Sequence, residues 1–309
     1  MARLYEEVEQ LAQSHDVLMV IYDNVYLPEF LEKLKTIYRV YFCEDDPEGS
    51  EARSRPYVHA FDHSFAAAVN YDATTRTAEK YRQWGARHAS WFPVVFGIAP
   101  DDHDGASPLT DEDFDRARRP MDAIFVGRAD PSKVARVVEI ARAAGVEVYG
   151  VGWSRYLDPV WSIGYWRSRL PRGSDRSRYL PDECLVGTYR STKIGLNIHE
   201  SFGPCNRRMF ALPASGVMQI CDCPEGLSEV FEVGKEVIVY RTPKEAAELI
   251  RYYLEHDAER QAIAAAGYRR VTRDYLSHLV FERIMARVRD SMASDGRDRT
   301  RVLAREDDE

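Results

Sequence analysis

The sequence predicts an α/β fold built from two successive halves, each with a parallel sheet. Short continuous apolar runs such as Val17–Tyr22 are typical of strands that are buried on both faces of a parallel sheet. Helical segments separate these runs, and repeated strand–helix units imply right-handed crossovers. A polar, acidic stretch at 99–119 interrupts the alternation and marks a domain boundary. The length of 309 residues agrees with two domains of about 100–200 residues each.

The first half, residues 1–110, alternates helices and strands from its start. Leu4–Ser14 has apolar residues at helical spacing, and Pro28 stands near the start of a second helix, where proline is favoured. The predicted helices are Leu4–Ser14, Pro28–Thr36 and Thr75–Gly85. The predicted strands are Val17–Tyr22, Tyr38–Phe42, one within the helix–strand unit His59–Tyr71, and His88–Phe92.

The second half, residues 120–275, restarts the alternation. The predicted strands are Ala123–Val126, Val146–Val151, Ile194–Ile198, Val217–Cys221 and Glu236–Tyr240. The predicted helices are Ser132–Ala144, Arg208–Ser215, Leu227–Val233, Pro243–His256, Ala258–Asp274 and Leu276–Met292. We expect the last of these, residues 276–292, to pack back towards the first domain. The charged tail 293–309 is nearly free of apolar residues and is expected to be disordered.

The segment Trp153–Pro181 departs from this alternation. It is rich in aromatic residues and carries six arginines against two aspartates. Two interpretations stay open. The segment is an insertion that lines or covers a ligand cleft, or it is an oligomer contact, because exposed aromatic residues and arginine also mark interfaces.

Composition excludes several classes of protein. The net charge of -8 argues against bulk binding to nucleic acid, although it leaves a local basic patch open. No apolar run reaches the ~18 residues that a transmembrane helix needs, and the acidic N-terminus does not resemble a signal peptide. Five cysteines, an odd number, are therefore expected to be reduced thiols in the cytoplasm. Cys221-Asp222-Cys223 lacks zinc spacing and a second pair, so no metal site is predicted.

The first candidate motif is Phe125-Val126-Gly127-Arg128, followed by Lys133. A strand leads into a glycine, which lets the backbone approach a ligand, and then into the start of a helix, which favours anions. Two cations at this place can neutralise a diphosphate. Strand–glycine–helix turns are also common structural elements, so the motif alone leaves both interpretations open.

The second candidate motif follows the next strand of this half. Asn197 and His199 stand at the strand end, the turn Ser201–Pro204 follows, and Arg207 and Arg208 open a helix. Basic residues are disfavoured at a helix N-terminus, so their presence favours an anionic ligand over solvated surface arginines.

Three weaker motifs complete the set of candidates. The helix dipole alone explains Glu229 in the first turn after Gly226. Asp45-Asp46 ends a strand in the first half, where a carboxylate can accept a hydroxyl proton, although Asp-Asp-Pro is also a common turn. His59 and His63 share a helical face if their segment is helical, but no third metal ligand accompanies them.

The order of motifs in the second half resembles a known family. FVGR…K, YRSTKIGLNIHESFGPCNRRMFALPASGV and CPEGLSEVF are followed by KEAAELIRYYLEHDAERQAIAAAGYRRV. This resembles the C-terminal domain of glycosyltransferases of the spore-maturation (CgeB-like) group, relatives of family 4, over about residues 123–284. The resemblance implies a GT-B-like fold, with two Rossmann-like domains facing each other across a cleft. The first half fits more weakly, through VYFCEDDP, AFDHSF, KYRQWGA and WFPVVFGI.

The resemblance also implies an activity and its residues. The chain is expected to move a sugar from a nucleotide-diphosphate sugar to a small-molecule or glycan acceptor, with retention, without a metal and without a cofactor other than the donor. Arg128 and Lys133 match the cations that grip the diphosphate, and Asp46 is the remaining catalytic candidate. The implied donor-binding residues are Gly127, Gly152, Trp153, Asn197, His199, Glu200, Ser201, Gly203, Arg207, Arg208, Gly226, Leu227 and Glu229.

Two departures keep other interpretations open. Ala211 replaces the family's nucleotide-binding glutamate, so either another carboxylate such as Glu200 substitutes for it, or the donor is bound differently, or donor binding is weak. The N-terminal domain looks short, so its sheet is reduced or is completed by a partner chain or by a second copy in a homo-oligomer. The alternatives are a degenerate, non-catalytic GT-B protein that binds a nucleotide sugar or serves as a partner subunit, and a transferase acting on a nucleic-acid base. The net charge makes nucleic acid the least favoured partner.

Overall fold

A computed structural model describes residues 2–21, 26–43, 50–94, 96–98, 108–157, 178–199, 206–222 and 226–296. Its contacts divide the chain into two units. The first contains Met1–Gly97 together with the chain from His278 onward, and the second contains Ile98–Glu200 and Asn206–Ser277. The first unit is therefore discontinuous in sequence.

The first unit is built on a four-stranded sheet. Its strands are β1 (Val17–Ile21), β2 (Tyr38–Cys43), β3 (His63–Ala66) and β4 (His88–Trp91), in the spatial order β1-β2-β3-β4. All three pairings are parallel. The helices of its N-terminal part are α1 (Ala2–Leu11), α2 (Pro28–Leu31) and α3 (Thr77–Gln83). β2 and β3 are almost entirely buried, which explains their continuous apolar character.

The second unit contains a five-stranded sheet. Its strands are β5 (Met121–Val126), β6 (Glu147–Tyr149), β7 (Thr192–Asn197), β8 (Met218–Asp222) and β9 (Ile238–Tyr240), in the order β6-β5-β7-β8-β9. Every pairing is parallel. The helices are α4 (Pro131–Ala144), α5 (Ser154–Leu157), α6 (Asp182–Arg190), α7 (Arg208–Ala214), α8 (Leu227–Val230), α9 (Pro243–Glu255) and α10 (Asp257–Asp274). The main core of this unit joins the sheet to α4, α9 and α10.

The last helix, α11 (Ser277–Ser294), contributes from His278 onward to the first unit. Ser291 lies 2.7 Å from Nδ1 of His63 at the start of β3, and Arg287 donates a hydrogen bond to the carbonyl of Trp91. His88 and Arg87 both contact the carboxylate of Asp295, just beyond the helix. The C-terminal part of the chain thus supplies polar partners for buried groups of the N-terminal sheet.

The predicted α/β class with two parallel sheets is confirmed. Helix α6 was not predicted, and His63 lies in a strand while His59 lies in a short 3₁₀ segment, so the two histidines share no helical face. The helix that begins at Pro28 ends at Leu31 rather than at Thr36. Helix α11 continues to Ser294, past the expected start of the tail, and 297–309 lie outside the described residues. In the described part of the chain, no helix is long and apolar enough to cross a membrane.

Candidate functional site

Four neighbouring residues pack closely against the turn after β5. The backbone amide of Gly127 donates to the backbone carbonyl of Tyr149. The indole Nε1 of Trp153 donates to the carbonyl of Gly127 at 2.6 Å. A Cβ on Gly127 would lie 2.5 Å from Nη1 of Arg208. Gly150, at φ +127°, approaches from the other side, and a Cβ there would meet the Gly127 carbonyl oxygen at 2.0 Å. Only glycines allow these segments to come so close.

The two cations of the first motif meet on one carboxylate. Nε of Arg128 lies 2.9 Å from Oδ1 of Asp130, and Nζ of Lys133 lies 3.1 Å from Oδ2. The Lys133 side chain is 6% exposed, whereas that of Arg128 is 74% exposed. Burial raises the pKa of the Asp130 carboxyl, but the hydrogen bonds and charges of Lys133 and Arg128 outweigh burial and hold this pKa below its ordinary value. Asp130 therefore stays ionised and orients both cations.

A cavity of about 500 Å³ opens beside this turn. Its walls are the segment Arg128–Pro131 and the residues Val151, Gly152, Arg155 and Tyr156. Gly152 has φ +90°, and a Cβ there would come within 3.3 Å of the Ala129 Cβ. The carboxyl ends of β5 and β6 thus border the cavity, at the edge of a parallel sheet where ligands of such folds bind.

The polar residues of the second motif bind one another. The buried Asn197 accepts hydrogen bonds through Oδ1 from Arg208 Nε at 3.1 Å and from Asn206 Nδ2 at 3.0 Å. Arg208 also donates to the carbonyls of Val126 and Ile198, at 2.8 and 2.9 Å, and packs over the ring of Phe125. Arg208 therefore ties the carboxyl ends of β5 and β7 together.

His199 belongs to a second buried network. Its Nδ1 lies 2.7 Å from Oδ1 of Asp222, whose other oxygen lies 3.3 Å from Nη1 of Arg136. The backbone amide of His199 also donates to the Asp222 carboxylate. Nε2 of His199 lies 3.4 Å from Nδ2 of Asn197. Both ring nitrogens thus have neighbours inside the protein, which fixes the orientation of the imidazole.

Gly226, Leu227 and Glu229 lie at the start of the short helix α8. Gly226 has φ +83° and precedes α8, Leu227 is buried, and Glu229 is exposed. Arg207 is also exposed. Ala211, where the family glutamate is expected, is partly buried and packs against an apolar cluster with Ile124 and Val217.

Several predicted site residues lie outside the described residues, namely Asp46, Glu200, Ser201 and Gly203. Most of the Trp153–Pro181 segment lies there too, at 158–177. In its described parts, Trp153 is fully buried under the β5 turn, and Arg178 donates to the carbonyl of Val148 on β6. Across the described ranges, no group of three or more His, Cys, Asp or Glu residues has the arrangement of a metal site.

Sequence reasoning missed Asp130 and Arg155. Asp130 directly precedes Pro131 and lies three residues before Lys133, which is the spacing of neighbouring side chains on a helix. That spacing alone is a signal for the ion pair. Arg155 is one of the six arginines of the segment Trp153–Pro181, and nothing in the sequence separates it from the other five.

Comparison with known proteins connects this site to a family. Residues 132–286 match the family model described as "Glycosyl transferase-like". The structure is similar to that of Anabaena HepE in complex with UDP and glucose, with a TM-score of 0.62 at 14% identity over 93% of this chain and 82% of that chain. It is also similar to sucrose-phosphate synthase from Thermosynechococcus elongatus, with a TM-score of 0.60 at 12% identity over 95% and 80% of the two chains. These likenesses establish the GT-B fold.

One curated protein also matches by sequence. A 4-hydroxy-3-methylbut-2-enyl diphosphate reductase of Stenotrophomonas maltophilia is 29% identical over 133 residues, which are 42% of this chain. The match spans only 41% of that protein, so the chain covers well under half of this relative.

Proposed function

The chain belongs to the glycosyl transferase-like family, and on that premise we propose that it transfers a sugar from a nucleoside-diphosphate sugar to a small-molecule or glycan acceptor. The observation that carries the proposal is the pair of cations Arg128 and Lys133, held by one carboxylate at the start of α4 beside a cavity. One structural relative, Anabaena HepE, was solved both with UDP and with UDP and glucose, which supports a nucleotide sugar as donor.

The proposed reaction breaks the bond between the anomeric carbon and the diphosphate oxygen. The acceptor hydroxyl oxygen forms the new bond to this carbon, and its proton goes to a base. Negative charge grows on the leaving diphosphate as the bond breaks. Fixed cations therefore stabilise the transition state more than the bound donor, which lowers the barrier. Arg128 and Lys133 are suited to this task because Asp130 orients them before the ligand arrives.

Cations in this position take the part that a divalent metal plays in other transferases. We therefore propose a metal-independent enzyme. By analogy with the CgeB-like group and family 4, we also propose retention of the anomeric configuration. Asp46 is our candidate for the base, on sequence grounds alone.

Two alanine variants test the proposal. We expect Arg128→Ala and Lys133→Ala each to lower turnover about 100-fold or more, equivalent to about 2.7–4 kcal/mol, as when an oxyanion donor is lost. Arg269→Ala and Lys244→Ala are matched controls, because both residues are exposed on α10 and α9. Circular dichroism checks that the variants fold, since Lys133 is buried.

The donor is identified first by a thermal-shift screen with UDP, GDP, dTDP and their sugars. A true donor at about 100 Kd adds roughly 2.7 kcal/mol of stability. Full activity in both alanine variants contradicts the role of the cations. Absence of stabilisation by every nucleotide contradicts the proposed function.

A second candidate function rests on Ala211. Alanine has no carboxylate to take the place of the family glutamate, and Ala211 packs against apolar side chains. A non-catalytic protein that binds a nucleotide sugar predicts tight binding of UDP and no turnover with any acceptor. Restoring the acid with Ala211→Glu then distinguishes a lost activity from an altered one.

A further inference from the structure

Arg155 lies in the wall of the cavity beside the β5 turn. It occupies the second position of the short helix α5, directly after Ser154 and Trp153, both fully buried. The Trp153 indole is bonded to Gly127, and the amides of Tyr156 and Leu157 donate to the Trp153 carbonyl. The backbone of Arg155 is thus fixed relative to the turn that carries Arg128.

The guanidinium of Arg155 has an unused donor. Its Nε is buried, yet within the described part of the chain it has no hydrogen-bond partner. A buried N–H without an acceptor is unfavourable and rare in folded proteins, so each case calls for an explanation. A ligand that supplies the acceptor is one explanation: Arg155 borders a cavity large enough for a small molecule, and a rotation of its side chain would bring the buried donor into that cavity.

The charges around the cavity point to an anion. Arg128 and Lys133 share the carboxylate of Asp130, whereas no carboxylate of the described residues pairs with Arg155. Arg128, Arg155 and Asp130 line the cavity, whereas Lys133 is buried and contacts Asp130. The cavity wall itself therefore carries an excess of one positive charge, and Lys133 adds a second next to it. A guanidinium binds phosphoryl oxygens through parallel N–H donors, and lysine cannot reproduce this planar arrangement.

We propose that Arg155 is a binding residue for a phosphoryl group of the nucleotide, acting from the part of the cavity wall that follows β6. This inference rests on the proposed function, since it names a further contact of the same site. It assigns a ligand-binding role to one arginine of the arginine-rich segment.

Isothermal titration with inorganic pyrophosphate, UDP and uridine tests the proposal. We expect Arg155→Gln to weaken binding of pyrophosphate and UDP about 10- to 100-fold, the range for a hydrogen bond to a charged group. Uridine, which has no phosphate, should bind within about twofold of wild type. Arg155→Lys should recover little of the loss, because it has no Nε–H. Arg269→Gln, on the exposed face of α10, is the matched control and should change nothing.

Each outcome decides one question. Unchanged affinity for pyrophosphate and UDP in Arg155→Gln overturns the proposal while the transferase function stands. An equal loss for uridine, or a lower unfolding temperature of the ligand-free variant, indicates a structural role and also overturns it. If wild type binds pyrophosphate through Arg155 but binds no nucleotide, the anion site stands and the proposed function fails. If wild type binds neither, both fail.

Discussion

Replacement of Gly127 by alanine tests how the β5 turn is built. The added methyl would lie 2.5 Å from Nη1 of Arg208 and 3.2 Å from the ring of Phe125. Arg208 cannot move away freely, because it donates to Val126, Ile198 and Asn197 at 2.8–3.1 Å. Each such bond, with a charged donor, contributes about 1.5–3 kcal/mol. Loss of one bond and distortion of the others should lower the free energy of unfolding by about 2–3 kcal/mol.

Urea denaturation of wild type, Gly127→Ala and Gly187→Ala measures this effect. Gly187 lies inside α6, and a Cβ there meets no heavy atom of the described residues within 4 Å. Alanine at 187 should therefore stabilise the protein by about 0.5–1 kcal/mol, because glycine is a poor helix former. Both substitutions replace glycine by alanine, but we expect Gly127→Ala to lower the free energy of unfolding and Gly187→Ala to raise it. If the urea midpoint of Gly127→Ala equals that of wild type, the hydrogen bonds of Arg208 do not hold its side chain against this glycine, and the reasoning is refuted.

The remaining predictions concern buried polar groups. Arg119 is 1% exposed and donates to the carbonyls of Asp113, Thr192 and Ser215. Arg119→Met should thus lower the free energy of unfolding by about 3 kcal/mol, whereas Arg118→Met, at an exposed ion pair, should change it by less than about 1 kcal/mol. If urea denaturation shows that Arg119→Met and Arg118→Met lower the free energy of unfolding equally, the buried hydrogen bonds of Arg119 do not contribute as expected. Burial, with His88, Arg287 and Arg82, lowers the pKa of His63 to about 4, while Asp295 opposes the shift. Between about pH 6.5 and pH 4, the histidine is therefore protonated in the unfolded chain but not in the folded one. The free energy of unfolding falls as the pH falls through this window, and His63 accounts for about 3 kcal/mol of the loss. The difference in the free energy of unfolding between wild type and His63→Gln should therefore become smaller as the pH falls. If urea denaturation gives the same difference at pH 7 and at pH 4.5, His63 does not make stability depend on pH.

Local sequence patterns were sufficient to predict the two parallel sheets. Buried strands such as β2 read as continuous apolar runs, and Gly145 ends α4 in the left-handed conformation expected of a helix C-cap. Helix α6 was not predicted because the aromatic and arginine residues before it hide the helical spacing of apolar residues. The boundary of α2 differs because a proline marks where a helix starts but not where it ends.

Side-chain direction at the site was harder to predict. Asn197, His199 and Arg208 stand at strand and helix ends, where polar residues face either a ligand or one another. The strand register that pairs Asn197 with Cys221 brings Asp222 next to His199. Neither segment of the sequence by itself predicts this contact between distant residues. The same holds for Arg119, which lies in what reads as a linker but reaches four separate segments.

The discontinuity of the first unit has a consequence for biosynthesis. His63 and its partner Ser291 are separated by 228 positions in the chain. During translation the sheet that carries His63 emerges from the ribosome long before α11, and the whole second unit is made in between. The second unit can therefore complete its core while the first still lacks its last helix. Because non-local contacts form slowly and partly folded domains expose apolar surface, the first unit is the part of the newly made chain most exposed to aggregation and to chaperones.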